Sequence, residues 1–405
     1  MGMTGLDTKV PGHRPVVIVS TVLPRWIADF GSVSTYFSKA GHGVTLFAPR
    51  PEQTASTGWR SPEAIAEAQG RLPPAVDLRY LPGDSTHEAG LTAALRTQLE
   101  SLRIALQRPR PLVFLWNPYA IVMFGPILRL LGVPVIFMVT GLGWTFSAEA
   151  QTSLRRRVIH AVYRLVFRGR RHRILVHNKD DKQVLVERFS IRPQQIYVTP
   201  GCGVDPAEFP FVDAPQPSPR PIVLVPVRLL KQKGVLDAAE ASRLLSGRGI
   251  DHEMWFTSNP DPTHPSALTA EEIEATKARC PDVRFKGFQA SLVPLYAQAA
   301  AVCVPTYYQE GLPTALLEAA SMGRPIVTCD NWGGRDFIRD GLDGHLVPPK
   351  SPEALAAALG RILTVPPHAE RLRRSAHQRF LDGFTKQHML EITLTACRDL
   401  TEDML

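Results

Sequence analysis

Short, continuous apolar segments alternate with amphipathic segments along the first half of the chain. The segments "PVVIVST" (15–21) and "VPVIFMVT" (133–140) are apolar at almost every position and lack the alternation of a half-exposed strand. Continuous apolar runs are typical of strands that helices cover on both faces, as in a parallel sheet. The repeated order of strand and helix therefore predicts a doubly wound α/β domain. The predicted strands of this half are 15–21, 41–49, 112–116, 133–140 and 173–178.

The same pattern starts again after a proline-rich segment, "FPFVDAPQPSPRP" (209–221). This segment has no helix or strand period and is typical of a linker. The strands predicted beyond it are 222–227, 253–258, 283–288, 301–305, 325–329 and 345–349. Two such domains facing each other would form a cleft, because open α/β sheets bind ligands at the carboxyl ends of their strands. The predicted divisions are an N-terminal Rossmann-like domain at 1–208, a linker at 209–221, a C-terminal Rossmann-like domain at 222–384 and a final helix at 385–405 that returns to the first domain.

Composition supports a folded, cytoplasmic protein of two domains. A chain of 405 residues is long for a single core, and 44% hydrophobic with 21% charged residues is typical of soluble proteins. The five cysteines lack CxxC spacing, so we expect a reducing compartment without disulfides. The N-terminus lacks the apolar core of a secretion signal. Prolines and Arg129 interrupt the apolar segment 111–144 before it reaches the ~20 residues of a membrane span, so we predict a strand, a helix and a second strand there.

The segment "YQEGLPTALLEAASMGRPIVTCDNWGGRDFI" (308–338) combines carboxylates with a helix start. Pro313 suits the first turn of a helix, and the amides of Thr314 and Ala315 would then point out of its N-terminus. Such an end carries about half a positive charge and can bind phosphate. Glu310 and Glu318 flank it, and a carboxylate accepts hydrogen bonds from the hydroxyls of a ribose or a sugar. A nucleotide-sugar site fits this pattern, and so does an ordinary helix with glutamates in its first turns.

Two cations follow the predicted strand at 222–227. Arg228 comes directly after it, and Lys233 precedes Gly234, which opens the next helix. Residues in this position face the carboxyl edge of the sheet, where paired Arg and Lys can stabilise the charge of a departing nucleoside diphosphate. The alternative is a pair of solvated loop charges. Together with the helix start at Pro313, the two cations favour a diphosphate site.

Three motifs in this half of the chain resemble the retaining GT-B glycosyltransferases of family four. The motifs are R-x4-K-G from Arg228 to Gly234, E-G-x-P-x4-E from Glu310 to Glu318, and GG-x-D-x3-DG-x-x-G from Gly333 to Gly344. The resemblance extends through most of the chain and implies the GT-B fold, in which two Rossmann-like domains face a central cleft.

Three further segments indicate a branch of that family. They are "TGLGWTF" (140–146), "NKDDKQVLVERF" (178–189) and "TPGCGVDPAEF" (199–209). They resemble the enzymes that elongate sugars carried on polyprenyl diphosphate, and they therefore imply a lipid-linked glycan acceptor.

The resemblance also implies roles for particular residues. Arg228 and Lys233 would contact the donor diphosphate and act in catalysis with Glu310, which would hold the transferred sugar. Glu318 would bind the ribose, and Phe288 with Gln289 would border the base. The implied donor-binding residues are Arg228, Lys233, Phe288, Gln289, Glu310, Gly311, Leu312, Pro313, Thr314 and Glu318.

The first domain departs from the family pattern. Many relatives carry a histidine near the sugar where this chain has Thr140-Gly141, and the loop "TVLPRWIADFG" lacks the usual Gly-Gly. The residues assigned to the acceptor and cleft are Thr21, Thr140, Gly141 and Gly143. No DxD pair stands where a metal would bind, and Asp180-Asp181 suits a helix start. We therefore expect no metal and no cofactor, with Arg228 and Lys233 in the metal's role.

Basic residues are concentrated in one segment. The net charge is +8, and eight arginines lie between Glu149 and Asp180 with no acidic residue among them. On a helical wheel, Tyr163 and Phe167 fall among arginines, as in helices that lie at a membrane interface. The alternatives are an exposed basic surface and a nucleic-acid patch, although no nucleic-acid motif accompanies it. The residues assigned to membrane contact are Arg156, Arg157, Tyr163, Arg164, Phe167 and Arg168.

These features together predict a metal-independent, retaining glycosyltransferase at the cytoplasmic face of the membrane. It would transfer a hexose or N-acetylhexosamine from a UDP-sugar to a polyprenyl-diphosphate-linked glycan in surface polysaccharide or glycoconjugate biosynthesis. The alternatives are a UDP-sugar epimerase on the same scaffold and a non-catalytic nucleotide-sugar-binding module. A dinucleotide oxidoreductase is disfavoured, because no GxGxxG follows the strand at 15–21.

Overall fold

The computed structural model divides the chain into two compact units. The described residues are 10, 14–48, 62–81, 91–142, 154–213, 215, 218–262 and 264–404, without the side chains of 62–63, 91–94 and 154–156. The first unit comprises Met1–Cys202 and Lys386–Leu405, and the second comprises Gly203–Thr385.

The first unit is built on a parallel sheet of seven strands in the order β3-β2-β1-β4-β5-β6-β7. Its strands are β1 Val16–Val19, β2 Val44–Ala48, β3 Val76–Tyr80, β4 Leu112–Trp116, β5 Val135–Val139, β6 His172–Val176 and β7 Ile196–Val198. The helices between them are α1 Leu23–Lys39, α2 Pro62–Gly70, α3 Leu91–Leu106, α4 Asn117–Leu130, α5 Leu154–Val166 and α6 Lys179–Phe189.

Both faces of this sheet are covered. Successive residues of β1 alternate between two cores, with Val16 and Ile18 in one and Val17 and Val19 in the other. All four side chains are buried. A strand buried on both sides needs apolar residues at every position, and this need explains the continuous apolar runs in the sequence.

The second unit repeats the design with six parallel strands in the order β10-β9-β8-β11-β12-β13. Its strands are β8 Ile222–Val225, β9 Glu253–Phe256, β10 Val283–Phe285, β11 Ala299–Val304, β12 Ile326–Cys329 and β13 His345–Val347. Its helices are α7 Val235–Gly247, α8 Ala270–Arg279, α9 Val293–Gln298, α10 Thr314–Ser321, α11 Trp332–Phe337, α12 Pro352–Thr364 and α13 Pro366–Gly383. The predicted fold class, two doubly wound parallel-sheet domains, is confirmed.

The last helix, α14 (Lys386–Glu402), packs within the first unit. Leu394 and Cys397 lie in the same core as β1 and β2. At the far end of the helix, the Tyr197 hydroxyl donates a hydrogen bond to Asp399 Oδ2 at 2.5 Å. The chain therefore returns to the first sheet after completing the second.

The residues that enter the second unit pack closely on it. The Ser321 hydroxyl donates to Phe209 O at 2.7 Å, and the Arg324 guanidinium donates to Val212 O. The Phe211 ring lies 4.5 Å from the His377 ring, centroid to centroid. The first part of the proline-rich segment is therefore held in the core region of the second unit, and the boundary between the units falls after Cys202.

All the predicted strands are present, and the structure adds two others. Strand β3 has mostly exposed or half-exposed residues, including Asp77 and Arg79, so it lacks an apolar run. Strand β7 has only three residues. The predicted succession of strand, helix and strand over 111–144 is confirmed as β4, α4 and β5. None of the helices in the described ranges combines the length and the hydropathy that a bilayer crossing requires.

Candidate functional site

The candidate donor residues lie at the carboxyl edge of the second sheet, where its strand order reverses. Strands β8 and β11 are neighbours there, and the order proceeds outward from them in both directions. Open α/β sheets bind ligands at such a switch point because the two loops diverge and leave a crevice. The β8 loop contains Arg228 and Lys233, and the β11 loop contains Glu310 and leads to Thr314.

The two loops are fastened to each other. Lys231–Lys233 form a 3-10 turn that ends at Gly234, whose φ is 71°. A side chain on Gly234 would collide with the Pro305 carbonyl, so this position requires glycine for conformation and for space. The Tyr307 N–H donates to Gln232 O at 3.1 Å. Lys233 is therefore held at a fixed place beside the β11 loop.

Lys233 and Glu310 form a direct ion pair at this place. Lys233 Nζ donates to both carboxylate oxygens of Glu310 at 2.6 Å. The two side chains are only 11% and 24% exposed, so the pair is largely shielded from water. The sequence places both residues at strand ends, but their direct contact is not predictable from it because they lie far apart in the chain.

Helix α10 begins at Thr314, shortly after Glu310 in the chain. Pro313 is the N-cap residue, one position before the predicted place in the first turn. The first amide of the helix to find an acceptor is that of Leu316, which donates to Pro313 O at 3.1 Å. In the described part of the chain, nothing accepts a hydrogen bond from the amides of Thr314 and Ala315. Open amides at a helix start attract anions, phosphate in particular.

The glycine motif that begins at Gly333 packs against the loop that leads into α10. A side chain on Gly333 would collide with the Gly311 carbonyl, so α11 can approach the loop only because this residue is glycine. Asn331 reinforces the contact by donating to Tyr308 O at 2.5 Å. Gly344, at the other end of the motif, meets the Ile326 carbonyl in the same way at 2.7 Å from an added Cβ. The Gly333 end of the motif therefore packs against the β11 loop, and the Gly344 end packs against β12.

Glu318 is oriented by a tyrosine that the sequence analysis did not identify. The Tyr296 hydroxyl donates to Glu318 Oε2 at 2.7 Å. Burial and the neighbouring carboxylate raise the pKa of Tyr296 well above its usual value, so the hydroxyl remains a donor. Glu318 is half-buried on α10, and Leu312 and Pro313 beside it are buried. No sequence signal connects Tyr296, in α9, with the E-G-x-P-x4-E motif.

Arg228 differs from Lys233 in having no such partner. Its side chain is exposed, and among the described residues no hydrogen bond or ion pair involves its guanidinium. It lies near His264, whose pKa is lowered by burial and then by the charge of Arg228. His264 is a further neighbour of the site that the sequence analysis missed.

Phe288 and Gln289 lie on the same sheet edge, after β10. The Phe288 side chain is 58% exposed, and its N–H donates to Asn259 Oδ1 at 3.1 Å. Gln289 Nε2 donates to Lys286 O at 2.8 Å. Strand β10 is two places from β8 in the sheet. The exposed ring leaves a flat surface on which a base could stack.

The residues assigned to the acceptor lie on the corresponding edge of the first sheet. Thr21 follows β1, and its hydroxyl accepts a hydrogen bond from Asn117 Nδ2. Asn117 has a φ of 78°, an uncommon conformation for a residue other than glycine, and it follows β4, the neighbour of β1. Thr140 and Gly141 follow β5 and are half-buried. Gly143 lies outside the described residues, and Asn117 is a candidate that the sequence analysis missed.

The structure contradicts part of the assignment made for helix α5. Tyr163 and Phe167 are 1% and 4% exposed, and the Phe167 ring packs 5.1 Å from Phe137 in the core. These rings cover the sheet and cannot contact a membrane. The exposed side of α5 instead has Arg157 and Arg164 together with the aliphatic side chains Val158 and Leu165. Arg168 follows the helix and is exposed, and the side chain of Arg156 lies outside the described atoms.

The helix start predicted at Asp180-Asp181 is confirmed, and several other polar residues and thiols are buried. Asp180 and Asp181 are in the first turn of α6, which Asn178 caps. His172 and His177 are buried, and Cys303 and Cys329 lie inside strands of the second sheet. Burial raises the pKa of both thiols, so they should be unreactive.

Comparison with known families agrees with this architecture in both units. The model described as Glycosyltransferase Family 4 matches residues 31–208, and the model described as Glycosyl transferases group 1 matches residues 220–365. Neither model alone covers half of the chain, but the two together cover most of both units.

Curated relatives match parts of the chain. An α-D-kanosaminyltransferase of Streptomyces kanamyceticus is 31% identical over 39% of this chain and 40% of its own length. An N,N'-diacetylbacillosaminyl-diphospho-undecaprenol α-1,3-N-acetylgalactosaminyltransferase of Campylobacter jejuni is 24% identical over 56% of this chain and 60% of its own. The chain spans less than half the length of the first curated relatives it matches.

Solved structures match almost the whole chain. A glycosyltransferase from Rickettsia africae has a TM-score of 0.73 at 15% identity and covers 97% of this chain and 100% of its own. Anabaena HepE in complex with UDP-glucose has a TM-score of 0.70 at 14% identity and covers 97% and 99%. Both units thus have the fold of GT-B glycosyltransferases. The family models match the first unit as Glycosyltransferase Family 4 and the second as Glycosyl transferases group 1, so each unit resembles a glycosyltransferase domain.

Proposed function

We propose that the protein is a retaining glycosyltransferase that uses a UDP-sugar donor and a glycan acceptor carried on polyprenyl diphosphate. The main support is the shielded Lys233–Glu310 pair beside the open amides of Thr314 and Ala315, at the switch point of the second sheet. A cation and a helix N-terminus suit a diphosphate, and a carboxylate suits sugar hydroxyls. The UDP-glucose bound to Anabaena HepE and the lipid-linked substrate in the name of the Campylobacter relative agree with these choices.

In this proposal, donor binding rearranges the ion pair. The diphosphate takes Lys233 as its counterion and accepts hydrogen bonds from the α10 amides. Glu310 is then released to accept hydrogen bonds from the sugar, while Glu318 binds the ribose. Arg228 contributes a second cation, so the two side chains neutralise the leaving group without a divalent metal.

Transfer with retention follows from attack on the face that the leaving group vacates. The bond from the sugar C1 to the diphosphate oxygen breaks, and its electron pair goes to that oxygen. The acceptor hydroxyl oxygen forms the new bond to C1, and its proton passes to the departing diphosphate. Lys233 and Arg228 lower the energy of this step because they stabilise the charge that develops as the bond breaks.

A cytoplasmic position, peripheral on the inner face of the membrane, suits a lipid-linked acceptor. Support comes from the exposed arginines Arg157, Arg164 and Arg168 around α5, together with exposed Val158 and Leu165. Basic and aliphatic side chains side by side are typical of surfaces that bind anionic bilayers.

The test is a donor panel assayed for UDP release with and without a polyprenyl-diphosphate-linked sugar. We expect one UDP-sugar to release UDP only when the acceptor is present, with an α-linked product and no effect of EDTA. Conversion of the donor sugar without any acceptor would instead identify an epimerase. Binding of UDP without turnover of any donor would indicate a non-catalytic binding module.

A further inference from the structure

The first unit has a second polar region, at the sheet edge opposite the acceptor residues. Four connections lead from a helix into neighbouring strands β4, β5, β6 and β7, and together they contain no acidic residue. The arginines in or beside these connections, named here the arginine edge, are Arg108, Arg110, Arg129, Arg168, Arg170, Arg171, Arg173 and Arg192. Because parallel strands begin at one edge of a sheet, the sequence gathers these cations on one side of the unit.

Backbone carbonyls, not carboxylates, hold several of these side chains in place. Arg110 and Arg171 both donate to Gly132 O, at 3.2 Å and 3.4 Å. Arg129 Nε donates to Arg168 O at 2.5 Å. Gly132 has a φ of 66°, and a Cβ there would lie 2.6 Å from Arg171 Nη1, so glycine permits this close approach. Within the described residues, no carboxylate pairs with Arg110, Arg129 or Arg171, so their guanidinium charges favour the binding of an anion.

A cavity of about 390 Å³ opens within the arginine edge. It is lined by Arg170, Arg173, Arg192, Gln194, Gln195 and Asp403. Gln195 also donates to Gly169 O at 2.9 Å, which joins the cavity to the end of α5. Three arginines against one aspartate give the lining an excess of positive charge.

The three arginines of the cavity have different roles. Arg173 is 4% exposed and is fixed by donation to Asp399 O at 2.7 Å and Asp403 Oδ2 at 2.8 Å. Arg170 and Arg192 are exposed, and neither side chain makes a hydrogen bond or ion pair within the described residues. Arg173 is therefore a fixed, buried cation, whereas Arg170 and Arg192 are free to contact a ligand.

We propose that this cavity binds a phosphate group. A guanidinium can donate two parallel hydrogen bonds to two oxygens of one phosphate. A cavity of this size accommodates a phosphomonoester or the head of a phosphodiester. Leu130 is 74% exposed at the end of α4, next to Arg129, and Leu106 is 58% exposed at the end of α3. These leucines lie on the same edge of the sheet as the cavity without lining it. Exposed aliphatic side chains on that edge suit a lipid headgroup, and a soluble phosphorylated compound offers the same phosphate chemistry. This site does not depend on the proposed glycosyl transfer.

The test compares the full-length wild type with Arg170→Ala/Arg192→Ala. One arm titrates inorganic phosphate and glycerol phosphate by calorimetry. The other sediments the protein with phosphatidylcholine vesicles, with and without phosphatidylglycerol. Arg248→Ala/Arg361→Ala serves as the control because it removes the same charge from two exposed arginines of the second unit. Thermal unfolding of each variant checks that the fold is intact.

We expect the Arg170/Arg192 variant to lose affinity about tenfold or more in at least one arm, and the control to bind as the wild type. Loss in the vesicle arm alone assigns the phosphate to a lipid headgroup, and loss in the titration alone assigns it to a soluble compound. Arg170→Lys/Arg192→Lys keeps the charge and loses the fork, so it should restore binding only in part. Equal binding by variant and wild type, or no binding by the wild type in either arm, would overturn the proposal.

Discussion

At the scale of single residues, the Lys233–Glu310 contact holds two side chains in place, and in the proposed function both then bind the donor. The two side chains pair with each other, so neither half-buried charge lacks a partner. A ligand that brings its own negative charge can replace Glu310 as the partner of Lys233. In the proposed function, the pair holds both residues in position until the diphosphate of the donor takes Lys233 as its counterion.

Replacement of Lys233 should therefore remove more than one hydrogen bond. Lys233→Ala removes the lysine that pairs with Glu310 and, in the proposed function, the fixed cation of the diphosphate. We expect kcat to fall by about 10²–10³ and the affinity for UDP to weaken. Steady-state kinetics and UDP calorimetry measure the two effects.

Lys231 provides a matched control in the same 3-10 turn. It pairs with Glu272 at 2.6 Å, and its side chain is 47% exposed. Lys231→Ala should leave kcat within about twofold of the wild type, because surface ion pairs contribute little. Equal losses in Lys231→Ala and Lys233→Ala would show that the turn matters and that the Lys233 charge does not.

Arg228 permits a separation of function from stability. Its guanidinium has no ion pair among the described residues, so Arg228→Ala should leave the melting temperature unchanged. Turnover of the donor should nevertheless fall by about tenfold or more, because in the proposed function Arg228 donates a charged hydrogen bond to the leaving group. Kinetics together with thermal unfolding of the same preparation tests this, and an unchanged rate would remove Arg228 from the site.

At the scale of elements, the start of α10 depends on the helix that packs under it. Gly333→Ala places a methyl group against the Gly311 carbonyl, and one of the two segments must move. We expect a loss of about 1–3 kcal/mol in the free energy of unfolding, as for other overpacked sites, and a clear loss of UDP affinity. Chemical denaturation and UDP calorimetry measure the two quantities.

Gly247 gives the control for that substitution. It ends α7, and an added Cβ there has no heavy atom within 4 Å. Gly247→Ala should be neutral or slightly stabilising, because alanine reduces the entropy of the unfolded chain. If Gly333→Ala bound UDP as tightly as Gly247→Ala, the packing of α11 would have no part in the site.

The sequence predicts an element well when both of its faces are buried, and less well when only one side is buried. Strands such as β1, β4 and β5 are covered on both faces, so their apolar runs are unmistakable. Helix α5 has apolar residues on more than one side, and a helical wheel cannot tell which side a neighbour will cover. The side with Tyr163 and Phe167 meets the sheet, which leaves Val158 and Leu165 exposed. The contact partners in the fold, not the period of the helix, decide that outcome.

In the candidate site, residues that follow predicted strands can be identified from sequence, whereas residues defined by distant partners cannot. Arg228, Lys233 and Glu310 could be identified because each follows a predicted strand, and strand ends converge in a parallel sheet. Tyr296 and Asn117 could not be identified in this way. Their roles depend on partners distant in sequence, Glu318 and Thr21, and no local pattern specifies such pairs.

At the scale of the whole molecule, the first unit should be sensitive to mild acid. Burial, then Arg129 and Arg173, lowers the pKa of His172 to about 4, and burial, then Arg25, lowers that of His177 to about 3. In the unfolded chain both histidines have a pKa near 6.5. Between about pH 6.5 and 4 the unfolded state therefore binds protons that the folded state does not, and stability falls as the pH falls.

The expected loss is about 2 kcal/mol for each histidine between pH 6.5 and 5. Asp29, whose pKa burial raises, acts in the opposite direction because its folded form holds a proton more tightly. Hydrogen exchange of the β5 and β6 amides at pH 7 and pH 5, corrected for intrinsic rates, measures the change within the first unit. His172→Gln should reduce the difference between the two pH values by the share of one histidine. An identical difference in wild type and variant would mean that His172 does not titrate in this window, and the acid sensitivity would then have to come from other groups.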